Sequence, residues 1–318
     1  MRSKIGADPK LVVSYLKLIG VVLIWGGGYH AAKILVSYSD PLTVGFLRWF
    51  LAAIVLFVPY YKGDGLARVK QKTLYEWGML ILLSFFGIFL YNLCFFGAEK
   101  LIAAETVAII YAATPCITIV LSCVFLRYKI HLGGWLGIIA AAIGTIGVVS
   151  YSTHGCGRFF CSDLFAHIGM GEVLAILSCF FMAAYNMLNK SIGKLNLTSV
   201  EIVTFSAIFG AIFLLIPCLI WGDGLATLLT KPLIFWLCLL YLVLFGTVLC
   251  YKWYTDSLRD IGISQTVVFQ NGVPFATILT GVVLFGQSIS LGIILSGTLV
   301  VLSVVFTNYQ VNRYREGR

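Results

Sequence analysis

Runs of about twenty apolar residues, separated by short polar stretches, occupy almost the whole of this chain. A helix rising about 1.5 Å per residue needs a run of that length to cross roughly 30 Å of hydrocarbon. The pattern predicts ten helical spans, at 11–35, 41–61, 74–97, 101–126, 132–151, 168–190, 198–221, 232–254, 261–285 and 289–309. Membrane-spanning strands would show short alternating segments instead, so the expected fold class is an all-α integral membrane protein. The connections are short, the longest being 62–73 and 152–167, and leave no room for a soluble catalytic domain. The first apolar run is too long for a signal-peptide core and lacks a small-residue cleavage site, so it is expected to remain as a span.

The polar breaks carry an internal repeat. Gly63-Asp64-Gly65-Leu66-Ala67 recurs unchanged as Gly222-Asp223-Gly224-Leu225-Ala226, 159 residues later in a chain of 318. The same spacing pairs Trp77 with Trp236, Phe86-Gly87 with Phe245-Gly246, Tyr111 with Gln270, Pro115 with Pro274 and Ile130 with Ile289. Nearer the start of each half the offset is slightly smaller, pairing Tyr29 with Tyr185 and Lys33 with Lys190. Two units are therefore predicted, residues 1–155 and 156–318, of five spans each. An odd number of spans turns the second unit over in the bilayer, giving two inverted five-helix repeats.

Composition agrees: 60% of residues are hydrophobic, 11% are charged and the mean hydropathy is +0.98. The net charge of +9 reports topology more than a polyanionic partner. With the N-terminus in the cytoplasm, 15 of the 22 lysines and arginines fall on that side, and only Lys100, Arg158 and Lys231 fall outside. The repeat supplies a control, because Arg127 and Lys129 correspond to Gly286 and Ser288, and the loop with Lys62, Arg68, Lys70 and Lys72 corresponds to one with Lys231 alone. The expected location is the cytoplasmic (inner) membrane, multi-pass, with both termini cytoplasmic. The bilayer is the expected partner, and nucleic acid is not. Most of the nine cysteines read as small packing residues. Cys156 and Cys161 share the external loop, where a disulfide is open.

Polar groups within the spans carry the candidate chemistry, since each is costly in hydrocarbon. Pro115 and Pro274 should kink spans 4 and 9 near the midplane and free the carbonyls of Tyr111 and Gln270, either for a wet cavity beside Asn271 or for a neighbouring hydroxyl. On the outer third lie His30, Lys33, Arg48 and Glu105. These fit a structural ion pair or snorkelling, and equally a proton or cation site at Glu105 with Arg48 or Lys33 as an anion anchor. Toward the cytoplasm lie Tyr185, Asn186, Asn189, Glu201, Lys252 and Gln265. Tyr91, Asn92, Phe95 and Phe96 face Tyr251, Trp253 and Tyr254 across the repeat. Gly26-Gly27-Gly28 reads as a hinge or a close helix contact. The GxxxG step at Gly133 and Gly137, continued by Gly144 and Gly147, reads as close packing within the protomer or in a homodimer.

These features together resemble the drug/metabolite transporter superfamily, in its two-repeat EamA branch. The resemblance rests on Trp25-Gly26 with Lys33, on Pro41 and Arg48-Trp49-Phe50-Leu51-Ala52-Ala53, on the alanine-rich approach to Pro115, and on the run from Gln265 to Gly286. Members usually carry Gly-Glu at the ends of spans 4 and 9, where this chain has Arg127-Tyr128 and Gly286-Gln287. The resemblance implies spans 1, 3, 4, 6, 8 and 9 around a central cavity, spans 5 and 10 at the periphery, and transport of amino acids, nucleotide-linked metabolites or drugs. The expected function is a secondary carrier of a small polar metabolite, an amino acid or related compound, with Tyr91, Asn92, Tyr111, Tyr185, Gln270 and Asn271 lining the site. Multidrug or nucleoside-linked transport, such as that of an S-adenosylmethionine-like compound, is the alternative. A membrane enzyme or a non-transporting sensor belongs to a different class. Paired aspartates, a His-Glu-x-x-His helix and a Walker A motif are all missing from the sequence, so no enzyme activity, metal or other cofactor is expected.

Overall fold

The computed structural model describes residues 9–62, 65–125, 127, 130–151, 157, 168–192, 195, 197–223, 225–261, 266 and 269–316. Cys156, Cys161 and Gln265 lie outside these. Among the described residues there is no strand, and nine helices are long and apolar enough to cross a membrane. A further apolar helix, Val273–Phe285, has 13 residues.

The helices run in chain order as α1 (Pro9–Tyr38), α2 (Pro41–Lys62), α3 (Leu74–Leu101), α4 (Ala104–Phe125) and α5 (Leu132–Tyr151). The second half follows as α6 (Met170–Ile192), α7 (Ser199–Trp221), α8, α9 (Val273–Phe285) and α10 (Leu291–Glu316). Helix α8 is built from three successive pieces, Leu233–Leu240, Tyr241–Leu249 and Cys250–Ile261. The predicted loop 62–73 contains a short helix, Gly65–Lys70. Two helices open with the same signal: Thr73 with Glu76 and Thr198 with Glu201 form reciprocal capping boxes at the starts of α3 and α7.

The packing follows the repeat. Helix α2 lies on its mate α7, and α5 lies on its mate α10. Helix α1 packs on α8 and α9 of the other half, as its mate α6 packs on α3 and α4. Exchanging the halves maps these contacts onto themselves, as a two-fold relation between inverted repeats requires. The first helix of each half thus closes the other half. The glycines of α5 serve that packing: a Cβ at Gly133, Gly137 or Gly144 would meet Gln310, Thr307 or Val300 of α10. The GxxxG stripe is therefore spent inside the protomer. Large apolar side chains such as Phe125, Val283, Leu284 and Leu295 remain exposed on the outside, where lipid is their natural complement.

Two irregularities recur at mated positions. The middle of α3, Phe85–Leu90, and the middle of α8, Tyr241–Leu249, are wound as π-helix. Wide winding displaces carbonyls, and side chains take them up: Asn92 Nδ2 donates to the Ile88 carbonyl at 2.7 Å, Thr247 Oγ1 to that of Leu242 at 3.0 Å, and Trp25 Nε1 to that of Gly246 at 2.9 Å. Breaks also occur before the paired prolines, at Ala112-Ala113 and at Asn271-Gly272. The expected mid-helix kinks are therefore helix starts, with Pro115 and Pro274 each second in its new segment, where a missing N–H costs nothing.

Candidate functional site

The interior of the bundle contains a cage of aromatic residues around one cation. Arg48 on α2 lies wholly within the bundle yet keeps part of its surface accessible, and the same is true of Tyr91, Tyr111, Tyr185 and Tyr251. Side chains that are enclosed by protein but not covered by it line an internal cavity. The guanidinium has the hydroxyls of Tyr91, Tyr251, Tyr111 and Tyr29 within electrostatic reach, so groups from α1, α3, α4 and α8 converge on it. Its Cζ sits 5.4 Å from the Trp49 ring centroid and 5.9 Å from that of Phe96. Ring contacts of Tyr91 with Phe95 at 5.5 Å and with Tyr111 at 5.8 Å, and of Tyr29 with Phe95 at 5.4 Å, continue the wall.

A narrow pocket adjoins this cage, lined by Trp49, Gly87, Met182, Tyr185, Ser206 and Tyr251 among others. Gly87 creates the space, because a Cβ there would fall 2.1 Å from Cδ2 of Tyr185. Polar atoms of the cage and the pocket have no partners of their own: Arg48 Nε, Trp49 Nε1 and Ser206 Oγ are buried without a hydrogen bond. Arg48 makes no ion pair among the described residues. Buried polar groups are ordinarily satisfied, so these orphans make the region the candidate ligand site.

Several expected roles change. The Tyr111 carbonyl accepts from Thr114 Oγ1 at 2.6 Å, so it is not an open cavity acceptor. Asn92 is fully buried and its amide is committed to Ile88. Asn271 is buried with Nδ2 unpartnered, while Gln270 beside it is partly exposed. Arg48 does not pair with Glu105. Glu105 sits with Lys33 and Glu99 at the end of the bundle marked by Tyr38 and Leu101, and Lys33 Nζ donates to the Ile102 carbonyl at 2.6 Å. His30 Nε2 donates to the Thr277 carbonyl at 2.8 Å and is structural. Glu201 is held by Arg68 at 3.0 Å and Lys72 at 2.5 Å, and Lys252 is exposed. Sequence reasoning misses Trp49, Ser206 and Glu99 as site residues; Trp49 stands beside Arg48 in the family motif, and Ser206 carries no signal.

Latches between helices lie toward both ends of the bundle. At one end Lys17 pairs with Asp256 at 3.0 Å and Ser14 donates to Asp260 at 2.9 Å, joining α1 to α8. At the other, the Asp40 and Asp223 carboxylates accept each other's backbone N–H, at 2.9 and 2.7 Å. Ser39 adds a third bond to Asp223 at 3.2 Å. The second copy of the repeated Gly-Asp-Gly turn thus fastens α7 to the α1–α2 corner.

An all-helical, multi-pass membrane protein of two repeats around a polar and aromatic interior is the class that fold and site define. The model of the EamA-like transporter family matches residues 12–150 and 169–309, and the chain belongs to that family. Uncharacterized transporter YyaM of Bacillus subtilis is 25% identical over 292 residues, covering 92% of each chain. The S-adenosylmethionine/S-adenosylhomocysteine transporter of Chlamydia muridarum is 24% identical over 285 residues, covering 88% of this chain and 86% of that one. A probable amino-acid metabolite efflux pump of Salmonella typhimurium is 25% identical over 296 residues, covering 91% and 92%. A crystal structure covering 95% of this chain and 98% of its own aligns with a TM-score of 0.60 at 16% identity, and shows the shared fold alone.

Proposed function

We propose that this protein is a secondary carrier of a small polar metabolite, an amino acid or a related compound, working by alternating access around the Arg48 cavity. The observation that carries the reading is an unpaired guanidinium deep in a membrane protein, surrounded by tyrosine hydroxyls. An anionic group on the substrate, such as an α-carboxylate, would satisfy Arg48, while the tyrosine and tryptophan faces take its apolar or cationic remainder. The relatives named for amino-acid metabolites and for S-adenosylmethionine support this chemistry, since S-adenosylmethionine is itself an amino-acid derivative. The two sets of latches support alternating access, in which the Lys17–Asp256 end and the Asp40–Asp223 end open in turn while the cage remains between them. The carrier sits in the cytoplasmic membrane with ten spans and both termini cytoplasmic.

The test is uptake of radiolabelled amino acids and of S-adenosylmethionine into proteoliposomes. Saturable flux separates a carrier from a sensor or a membrane enzyme. Arg48→Ala should cut transport of the accepted compound by about tenfold or more, the loss of one charge-assisted contact. Its melting temperature should not fall, because an unpaired buried charge has been removed. Wild-type flux of every accepted compound by Arg48→Ala would place the substrate elsewhere.

A further inference from the structure

Glu99, near the end of α3, is 0% exposed, and neither of its carboxyl oxygens has a hydrogen-bond partner. A carboxylate in that condition is untenable in a membrane interior, where an isolated charge costs many kcal/mol and neutralises instead. The groups facing it are few. From α1 come Lys33 and Tyr29, from α3 itself comes Tyr91, and from α4 comes Glu105, whose Oε2 is likewise buried without a hydrogen bond. Glu172 of α6 follows Gly171, whose position touches Leu101 and Ile102, and Arg48 of α2 lies in reach of Tyr29 but beyond it. One ammonium therefore faces a pair of acids, and it is directed to neither, because Lys33 Nζ is bonded to the Ile102 carbonyl.

Helix ends set the two acids in different surroundings. Glu105 is in the first turn of α4, where the positive end of the helix dipole favours an anion. Glu99 is in the last turns of α3, where the dipole opposes one. Of the two carboxyl groups near the lysine, Glu99 is the one whose position disfavours a charge. We propose that Glu99 is the proton-binding site that gates the Asp40 end of the bundle, and so couples transport to protons. Glu99 holds its proton while this end is closed. When the end opens, the O–H bond breaks and the proton passes to water there. The resulting carboxylate takes the ammonium of Lys33, which leaves the Ile102 carbonyl and frees the turn between α3 and α4. The coupling rests on the carrier reading above; the gating does not.

Infrared spectroscopy of the protein in lipid nanodiscs tests the proton first. At about pH 7 the wild type should show the carbonyl stretch of a protonated carboxylic acid; Glu99→Gln should lose it and Glu105→Gln should keep it. Glu99→Asp should move the band without removing it, which excludes misfolding as the cause of its loss. An unchanged spectrum in Glu99→Gln overturns the proposal. Hydrogen exchange at the α3–α4 turn, corrected for intrinsic rate, tests the gate. Raising the pH should make it about tenfold faster in the wild type than in Glu99→Gln, whose side chain cannot ionise. Equal acceleration in both proteins overturns it. Neither readout needs a substrate, so an uptake screen that finds none would sink the carrier reading while leaving this one standing.

Discussion

At the scale of single residues, polar atoms in this molecule divide into those that finish a helix and those that wait for something. Asp40 is of the first kind. Burial pushes its carboxyl up, but the Thr43 hydroxyl and the N–H groups of Asp223, Thr43 and Leu42 pull it down further, and it lies below the usual aspartate value. A depressed carboxyl contributes stability that is complete above its unfolded value of about 3.9 and disappears as the pH falls through the lower folded value. The melting temperature of the wild type should therefore exceed that of Asp40→Asn at neutral pH and converge on it below about pH 4. Parallel curves would mean that the charge of Asp40 contributes nothing to the clasp. Arg48 and Glu99 are of the second kind. The first is visible in the sequence as a charge in an apolar run; the second is not, because the apolar run of span 3 ends at 97 whereas α3 continues to Leu101.

Between elements, backbone proximity governs. Gly26 lets α1 lie directly on α9: a Cβ there would come within 2.6 Å of Ala276 Cβ, 2.8 Å of its carbonyl carbon and 2.9 Å of Thr277 N. Two of those atoms are main chain and cannot swing away. Gly26→Ala should cost about 1–3 kcal/mol, read as a lower thermal midpoint in detergent. At Gly78 an added Cβ would have nothing within 4 Å, so Gly78→Ala, in the first helical turns of α3, should be neutral or stabilising by up to about 1 kcal/mol. An equal loss in both would point to helix propensity or folding in the membrane rather than to the α1–α9 contact. Gly27 and Gly28 likewise face Tyr241 and Leu242, so the whole Gly26-Gly27-Gly28 run makes close helix contacts.

For the molecule as a whole, the two Gly-Asp-Gly turns should lie on opposite sides of the membrane. A reporter that fluoresces only in the cytoplasm should be active when fused at the C-terminus. A phosphatase active only outside should work when inserted after Asp223, and fail when inserted after Asp64. Activity at both insertion sites would contradict inverted repeats. The charge pattern predicts this order, and the exchange symmetry of the packing, α1 on α8 and α9 against α6 on α3 and α4, agrees with the inversion on which it depends.

The span pattern, the membrane setting, the duplication and the mated breaks at Pro115 and Pro274 were determined by the sequence alone. Each depends on local length, period or spacing, which a chain carries whatever its neighbours are. Only the tertiary structure decided what the polar groups do. Thr114 closed the Tyr111 carbonyl, π-winding claimed Asn92, Arg48 met tyrosines rather than Glu105, and Lys33 was bonded to the Ile102 carbonyl. A polar side chain's role is set by which partner lies within a few ångströms, and here the partners come from helices tens to hundreds of residues apart.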